Sequence, residues 1–196
     1  MSDILVLYYS LYGATESLAR EVCIGVDSVS GMASRLRTVP PVSTAVEATE
    51  GPVPESGPPF ATLSDLDECA GLVLGSPTHF GNMTAALKHF FDGTVTQWMS
   101  GTLTGKPAGV FTSSSSLHGG QEATLLTMAV PLLHHGMIYV GLPYGEKGLS
   151  LTTSGGTPYG ASHVSWGRES DALSDHEKQL AQALGRRVAD IAKRLA

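Results

Sequence analysis

Three short segments carry hydroxyls, glycines and aromatic rings at spacings that suit a small anionic ligand. The first is Ser10-Leu11-Tyr12-Gly13-Ala14-Thr15. It stands between an apolar run and an amphipathic one, so it reads as a strand–turn–helix junction. Ser10 and Thr15 supply hydroxyls, and Gly13 admits backbone angles closed to other residues. The free N–H groups at a helix start seat a phosphate. A capped turn without ligand is the plainer alternative, but the strand–turn–helix context favours phosphate. The second segment, Ser76 to Met83, also follows a strand. Pro77 stiffens its exit, Thr78 and His79 precede Phe80, a ring able to lie beside a flat ligand, and Gly81 lets backbone approach closely. Asn82 is placed to cap the next helix. The third is Thr112-Ser113-Ser114-Ser115-Ser116-Leu117-His118-Gly119-Gly120-Gln121-Glu122. It exposes many backbone donors between a strand and a helix.

Other motifs fail on inspection. Gly101 to Pro107 is one residue short of a P-loop, has Pro107 where Ser or Thr belongs, and precedes a strand. Gly160-Ala161-Ser162-His163-Val164 lacks the second glycine of a nucleophile elbow. His134 and His135 are adjacent, so on a helix they point about 100° apart, and no third ligand stands at suitable spacing. No metal site is expected. His89 and His176 read as solvated helix residues, and His118 and His163 as loop residues between site rim and surface. Trp98, read from its neighbours alone, suits packing.

The elements that must position these loops are legible as periodicities. Ile4–Tyr9, Ala33–Val39, Gly71–Leu74, Ala108–Thr112 and Met137–Leu142 read as five strands, four of them apolar enough for burial on both faces. Arg35 and Arg37 alternate through the second, which places it at an edge. Helical patterns fall between: one carrying Leu18, Val22 and Val26, then Asn82–Val95, Glu122–His135 and Ser174–Leu195. The last opens on a capping box, Ser174 to Glu177. Pro131 should kink the third. That helix is apolar on so many sides that it predicts burial against a second subunit. Alternating strands and helices predict an α/β, doubly wound, five-stranded parallel sheet in one domain over 1–196, with a ligand at the carboxyl ends of the strands. Residues 40–59 hold six prolines and read as a surface loop. Residues 147–168 are rich in Gly, Ser and Thr yet contain Tyr159, His163 and Trp166, which suits an excursion at a site or interface.

Composition narrows the function. Twelve basic against 18 acidic residues give a net charge of −6, which argues against nucleic acid or an anionic membrane as partner. Cys23 and Cys69 form neither a CxxC nor a zinc pattern, and the apolar N-terminal run lacks a basic flank and spanning length. A cytoplasmic protein is expected.

Taken together, "VLYYSLYGATESLA", "GSPTHFGNM", "FTSSSSLHGGQE", "LLHHGM" and "GGTPYGASHV" resemble the flavodoxin-like family of WrbA-type NAD(P)H:quinone oxidoreductases. The resemblance spans nearly the whole chain. It implies strand order 2-1-3-4-5, FMN as cofactor, NADH or NADPH as donor, a quinone as acceptor, and a homodimer or homotetramer. It assigns Ser10, Leu11, Tyr12, Gly13, Ala14 and Thr15 to the FMN phosphate. Pro77, Thr78, His79, Phe80, Gly81 and Asn82 would border the isoalloxazine. Ser113, Ser114, Ser115, Ser116, Leu117, His118 and Gly119 would embrace the ring edge and ribityl chain. His135 would sit close to the flavin, from the same or a neighbouring subunit, and Tyr12 and Trp98 would flank the nicotinamide and quinone pocket. One position departs: the family commonly has Arg where this chain has His79, so a permanent cation gives way to an imidazole mostly neutral near pH 7. The implied activity is a two-electron, ping-pong reduction through FMN N5, with no protein nucleophile. A flavodoxin-like single-electron carrier, a broader FMN reductase acting on azo or nitro compounds, and a regulatory protein with a vestigial site are the rivals.

Overall fold

The computed structural model describes residues 2–42, 57–165 and 172–196. A parallel sheet forms its centre. β1 (Ser2–Tyr8) is flanked by β2 (Met32–Thr38) and β3 (Gly71–Pro77), and β4 (Pro107–Ser114) follows β3. The order 2-1-3-4-5 is the expected one. β2 lies at the edge, as its arginines imply. There Arg35 Nη2 meets Asp3 at 2.6 Å and Nη1 meets Glu68 at 2.9 Å, while Arg37 reaches the buried Asp65 at 3.2 Å. The fan of carboxylates neutralises the edge and ties it to α2 (Leu63–Glu68).

The far edge corrects the five-strand expectation. β5 (Ile138–Tyr139) is only two residues long and pairs with Pro107 and Ala108. A sixth strand, β6 (Ala161–Val164), pairs with Phe111–Ser114 further along β4. Two short strands thus share one edge position, and the excursion between them carries α6 (Gly148–Leu151). The physical reason is a single acceptor. Buried Glu177 takes hydrogen bonds from the N–H groups of Gly155 (2.9 Å), Val164 (3.2 Å) and Ser174 (2.8 Å). Its carboxylate also meets His163 Nδ1 at 3.0 Å. His163 is therefore buried, neither a rim nor a surface residue.

Helices cover both faces. α1 (Ala14–Asp27) and α7 (Asp175–Leu195) pack with Ile4, Val6 and Val73, whereas Leu5, Leu7, Leu72 and Leu74 face Leu87, Leu125 and Met128 of α3 (Ala85–Asp92) and α5 (Gln121–His134). Alternate residues of one strand thus feed two cores. α1 and α7 approach until a side chain at Gly185 would stand 2.1 Å from the Val22 carbonyl oxygen. The helix expected over 82–95 ends at Asp92, and α4 (Val95–Ser100) is a separate piece after Gly93. The Pro-rich stretch lies mostly, and Trp166 and Arg168 wholly, outside the described residues. None of the described helices is long and apolar enough to cross a membrane.

Candidate functional site

The three loops leave β1, β3 and β4 at their carboxyl ends and meet at Ser113. Thr15 and Ser113 share a hydroxyl–hydroxyl bond of 2.9 Å, which joins the first loop to the third. The Thr78 N–H donates to the Ser113 carbonyl at 2.8 Å, which joins the second. Around this junction lies a hollow of about 370 Å³ lined by Ser10, Leu11, Tyr12, Ala14, Thr15, Pro77, Thr78, His79, Ser113, Ser114, Ser115 and Ser165. Eleven of these twelve were candidate residues; Ser165 was not. Its signal was weak, because it depends on β6 carrying the chain back beside Ser114, whose carbonyl accepts the Ser165 N–H at 2.9 Å.

Each loop is locked locally. Gly13 caps α1 with φ of 92°, a left-handed conformation that glycine adopts without strain, and its N–H donates to Ser10 Oγ at 3.0 Å. The next amides open a 14-residue helix, so its positive end faces the loop. In the second loop, His79 and Asn82 exchange backbone hydrogen bonds of 2.8 and 3.0 Å across a tight turn. Asn82 does not cap the following helix: its Oδ1 accepts the Met83 N–H at 2.8 Å, and Thr84 stands at the N-cap. Thr127 of α5 donates to the Gly81 carbonyl at 3.1 Å, and Thr78 and Thr124 bond through their hydroxyls. Phe80 holds φ of 53° with its ring fully exposed. A non-glycine residue there is strained, and such strain gathers where ligands bind. In the third loop, Ser114 Oγ donates to the Ser116 carbonyl and Gln121 Nε2 to the Leu117 carbonyl, both at 2.8 Å.

Gly13, Phe80, Gly81, Asn82, Ser116, Leu117, His118 and Gly119 shape these loops without lining the hollow, and His118 is exposed. His135 and Trp98 stand elsewhere. They share a second hollow of about 520 Å³ with Asn82, Met83, Phe91, Val95, Val130 and His134. Tyr12 and Trp98 therefore line different hollows within one chain. The Trp98 indole N–H donates to the His134 carbonyl at 2.9 Å, which leaves its ring half-exposed. Thr94 donates its hydroxyl proton to the Phe91 carbonyl at 2.7 Å, so the 2.9 Å contact between Thr94 Oγ1 and His135 Nε2 needs the proton on the imidazole. That leaves buried His135 Nδ1 as an unpartnered acceptor. Burial, aided by His134, lowers the His135 pKa and keeps the ring neutral. No cluster of three or more metal-ligating side chains occurs among the described residues.

A doubly wound parallel sheet in the order 2-1-3-4-5 defines a flavodoxin-like fold. The structure resembles a WrbA-like flavodoxin from Agrobacterium tumefaciens, with TM-score 0.69 and 25% identity over 99% of both chains. An archaeal flavodoxin shares the fold at TM-score 0.64 and 19% identity, covering 97% of this chain and 99% of its own. The chain belongs to the NADPH-dependent FMN reductase family, whose model matches residues 4–145. Among its relatives are proteins named NAD(P)H dehydrogenase (quinone). One from Solidesulfovibrio magneticus is 44% identical over 98% of each chain, and one from Geobacter sulfurreducens is 40% identical over the same shares.

Proposed function

We propose that this chain is an FMN-dependent NAD(P)H:quinone oxidoreductase that reduces quinones to hydroquinones two electrons at a time. The observation that carries the reading is the junction of three loops at Ser113 around one hydroxyl-lined hollow. The donor set fits FMN. Among the described residues no carboxylate lines the hollow, hydroxyls and helix-start amides suit a phosphate, and the volume suits a small-molecule site. The similarity to quinone dehydrogenases over the chain's length supports the same reading.

Ser10, Thr15 and the first amides of α1 hold the phosphate. Thr78, Ser113, Ser114 and Ser115 orient the ring and ribityl chain, and Tyr12 covers the open side where the nicotinamide and then the quinone enter. When bound, FMN supplies the two-electron chemistry at N5. The side chains bind, orient and exclude water. One pocket used in turn by donor and acceptor gives ping-pong kinetics, seen as parallel double-reciprocal lines; intersecting lines contradict it.

The separation of Trp98 and His135 from the hollow supports an assembly in which a neighbouring copy brings them to the ring. Val95 and Val130 line that second hollow, and Met99, Leu126 and Leu133 are further exposed apolar residues of α4 and α5 that provide the surface for it. The free thiols Cys23 and Cys69 suit a reducing compartment, and we place the protein in the cytoplasm. Mixing the FMN-loaded protein with NADH or NADPH, with and without benzoquinone, tests the activity. Donor oxidation that requires the quinone supports it. FMN binding without donor oxidation leaves a single-electron carrier instead.

A further inference from the structure

The hydroxyls around the first hollow do not all offer the same chemistry. A hydroxyl carries one proton and two lone pairs, so one that already donates its proton can only accept. Ser10 Oγ accepts the Gly13 N–H at 3.0 Å, which leaves its proton for a ligand oxygen. Ser114 is the reverse case, because its Oγ donates to the Ser116 carbonyl at 2.8 Å. Ser165 behaves like Ser114. Its N–H donates to the Ser114 carbonyl at 2.9 Å, and its Oγ donates to the same oxygen at a longer 3.3 Å. The hollow therefore has a donating hydroxyl in the loop before α1 and accepting hydroxyls at the ends of β4 and β6.

The accepting edge is built into the fold. Val164, which precedes Ser165, stands opposite Ser114 in the β4–β6 ladder, and its N–H goes to buried Glu177 at 3.2 Å. Behind it, the Gly156 N–H donates to Ser162 Oγ at 2.8 Å. A side chain at Gly155 would stand 2.0 Å from the Ser162 carbonyl oxygen, so the excursion lies directly against β6. Ser165 is thus delivered to the hollow by a ladder on one side and by Glu177 on the other.

An accepting hydroxyl selects which part of a ligand it can hold. The phosphate of FMN, once doubly ionised, has oxygens that only accept, and it pairs with donors. The sugar-alcohol chain carries hydroxyl protons, and an accepting oxygen takes one of those. Ser165 is bonded to Ser114, the neighbour of Ser113, whose hydroxyl meets Thr15 of the first loop at 2.9 Å. The chain is likewise the part of FMN joined to the phosphate. We propose that Ser165 is a further binding residue of this site, accepting a hydrogen bond from a hydroxyl of the ligand's sugar-alcohol chain. The proposal rests on the reading of the hollow as an FMN site.

The test is fluorescence titration of the wild-type, Ser165→Ala and Ser165→Gly apoproteins with FMN and with riboflavin at mildly alkaline pH, together with the absorbance spectrum of the bound FMN. Riboflavin keeps the ring and the chain and lacks the phosphate. Loss of the accepting hydroxyl should weaken both flavins about five- to tenfold, the worth of one neutral hydrogen bond, and leave the spectrum of bound FMN unchanged. Unchanged affinities overturn the proposal. A loss confined to FMN, the pattern expected of Ser10→Ala, puts Ser165 on the phosphate and overturns it. A shifted spectrum puts Ser165 on the ring and does the same. Wild-type protein that binds FMN and no riboflavin shows no hold on the chain, which also overturns it. If neither variant folds, Ser165 is structural and the proposal falls. Failure of the wild-type protein to bind either flavin is a different result, which removes the FMN site itself.

Discussion

Ser113 is where the site is held together: its hydroxyl meets Thr15 and its carbonyl accepts from Thr78. Replacing Thr15 by Ala removes one hydroxyl from the loop proposed to hold the phosphate and one tie between two loops. It should weaken FMN binding about five- to tenfold, the worth of one neutral hydrogen bond, as read by flavin fluorescence titration. Tyr12 stands apart from that network with its ring largely exposed. Tyr12→Ala should leave the FMN dissociation constant within about twofold and raise the KM for NAD(P)H; an effect on FMN alone contradicts the division of labour. These residues were legible because hydroxyls, glycine and a helix start fell together in sequence. Ser165 was not, because its place beside Ser114 depends on a strand pairing 51 residues away. The strain at Phe80 was invisible too, since no residue type announces a positive φ.

At the scale of elements, the long helix α7 does two jobs. Its apolar face packs on α1, and its first turn anchors the excursion through Glu177. The helix and its capping box were readable from period and spacing. The anchoring was not, because the donors at Gly155, Val164 and His163 come from a segment whose composition resembles a loop. β6 went unread for the same reason: it is four residues long and contains Ser162 and His163. Burial raises the Glu177 pKa, but hydrogen bonds from His163, Ser174 and Gly155 outweigh it and hold the carboxyl at about 2. A carboxyl depressed in the folded state stabilises the fold above its ordinary value of about 4.5 and loses that contribution as pH falls toward about 2. Glu177→Gln should cost roughly 1–3 kcal/mol at neutral pH and flatten the stability profile over that acid window, measured by urea unfolding. Equal profiles for the two proteins contradict the anchoring role. Gly185→Ala should destabilise by at least about 1–3 kcal/mol, because the methyl group meets a helix backbone that must move away.

At the scale of the whole molecule, the turn at Thr78–Asn82 contributes Thr78 and His79 to one hollow and Asn82 to another, and among the described residues one chain does not unite them. The parallel sheet was legible because strands buried on both faces leave continuous apolar runs, and its order 2-1-3-4-5 followed from the family resemblance. The shape of the second hollow was not, since it required knowing that the helix expected over 82–95 breaks and re-forms as α4. The exposed apolar residues of α4 and α5 predict assembly. Wild-type protein should sediment well above its 20.5 kDa chain mass, and Val130→Asp should shift it toward that mass. That variant should keep FMN in the first hollow yet lose quinone reduction. A monomeric variant with full activity contradicts completion of the site by a neighbour.

The most direct test of the account is a single anaerobic absorbance experiment on the intact protein. FMN is titrated into the apoprotein, a small excess of NADH or NADPH is added, and benzoquinone follows. The account predicts saturable FMN binding at one site per chain, bleaching of the bound flavin by the nicotinamide, and return of its colour with the quinone. FMN that fails to bind, or that binds and is not bleached by either nicotinamide, contradicts it.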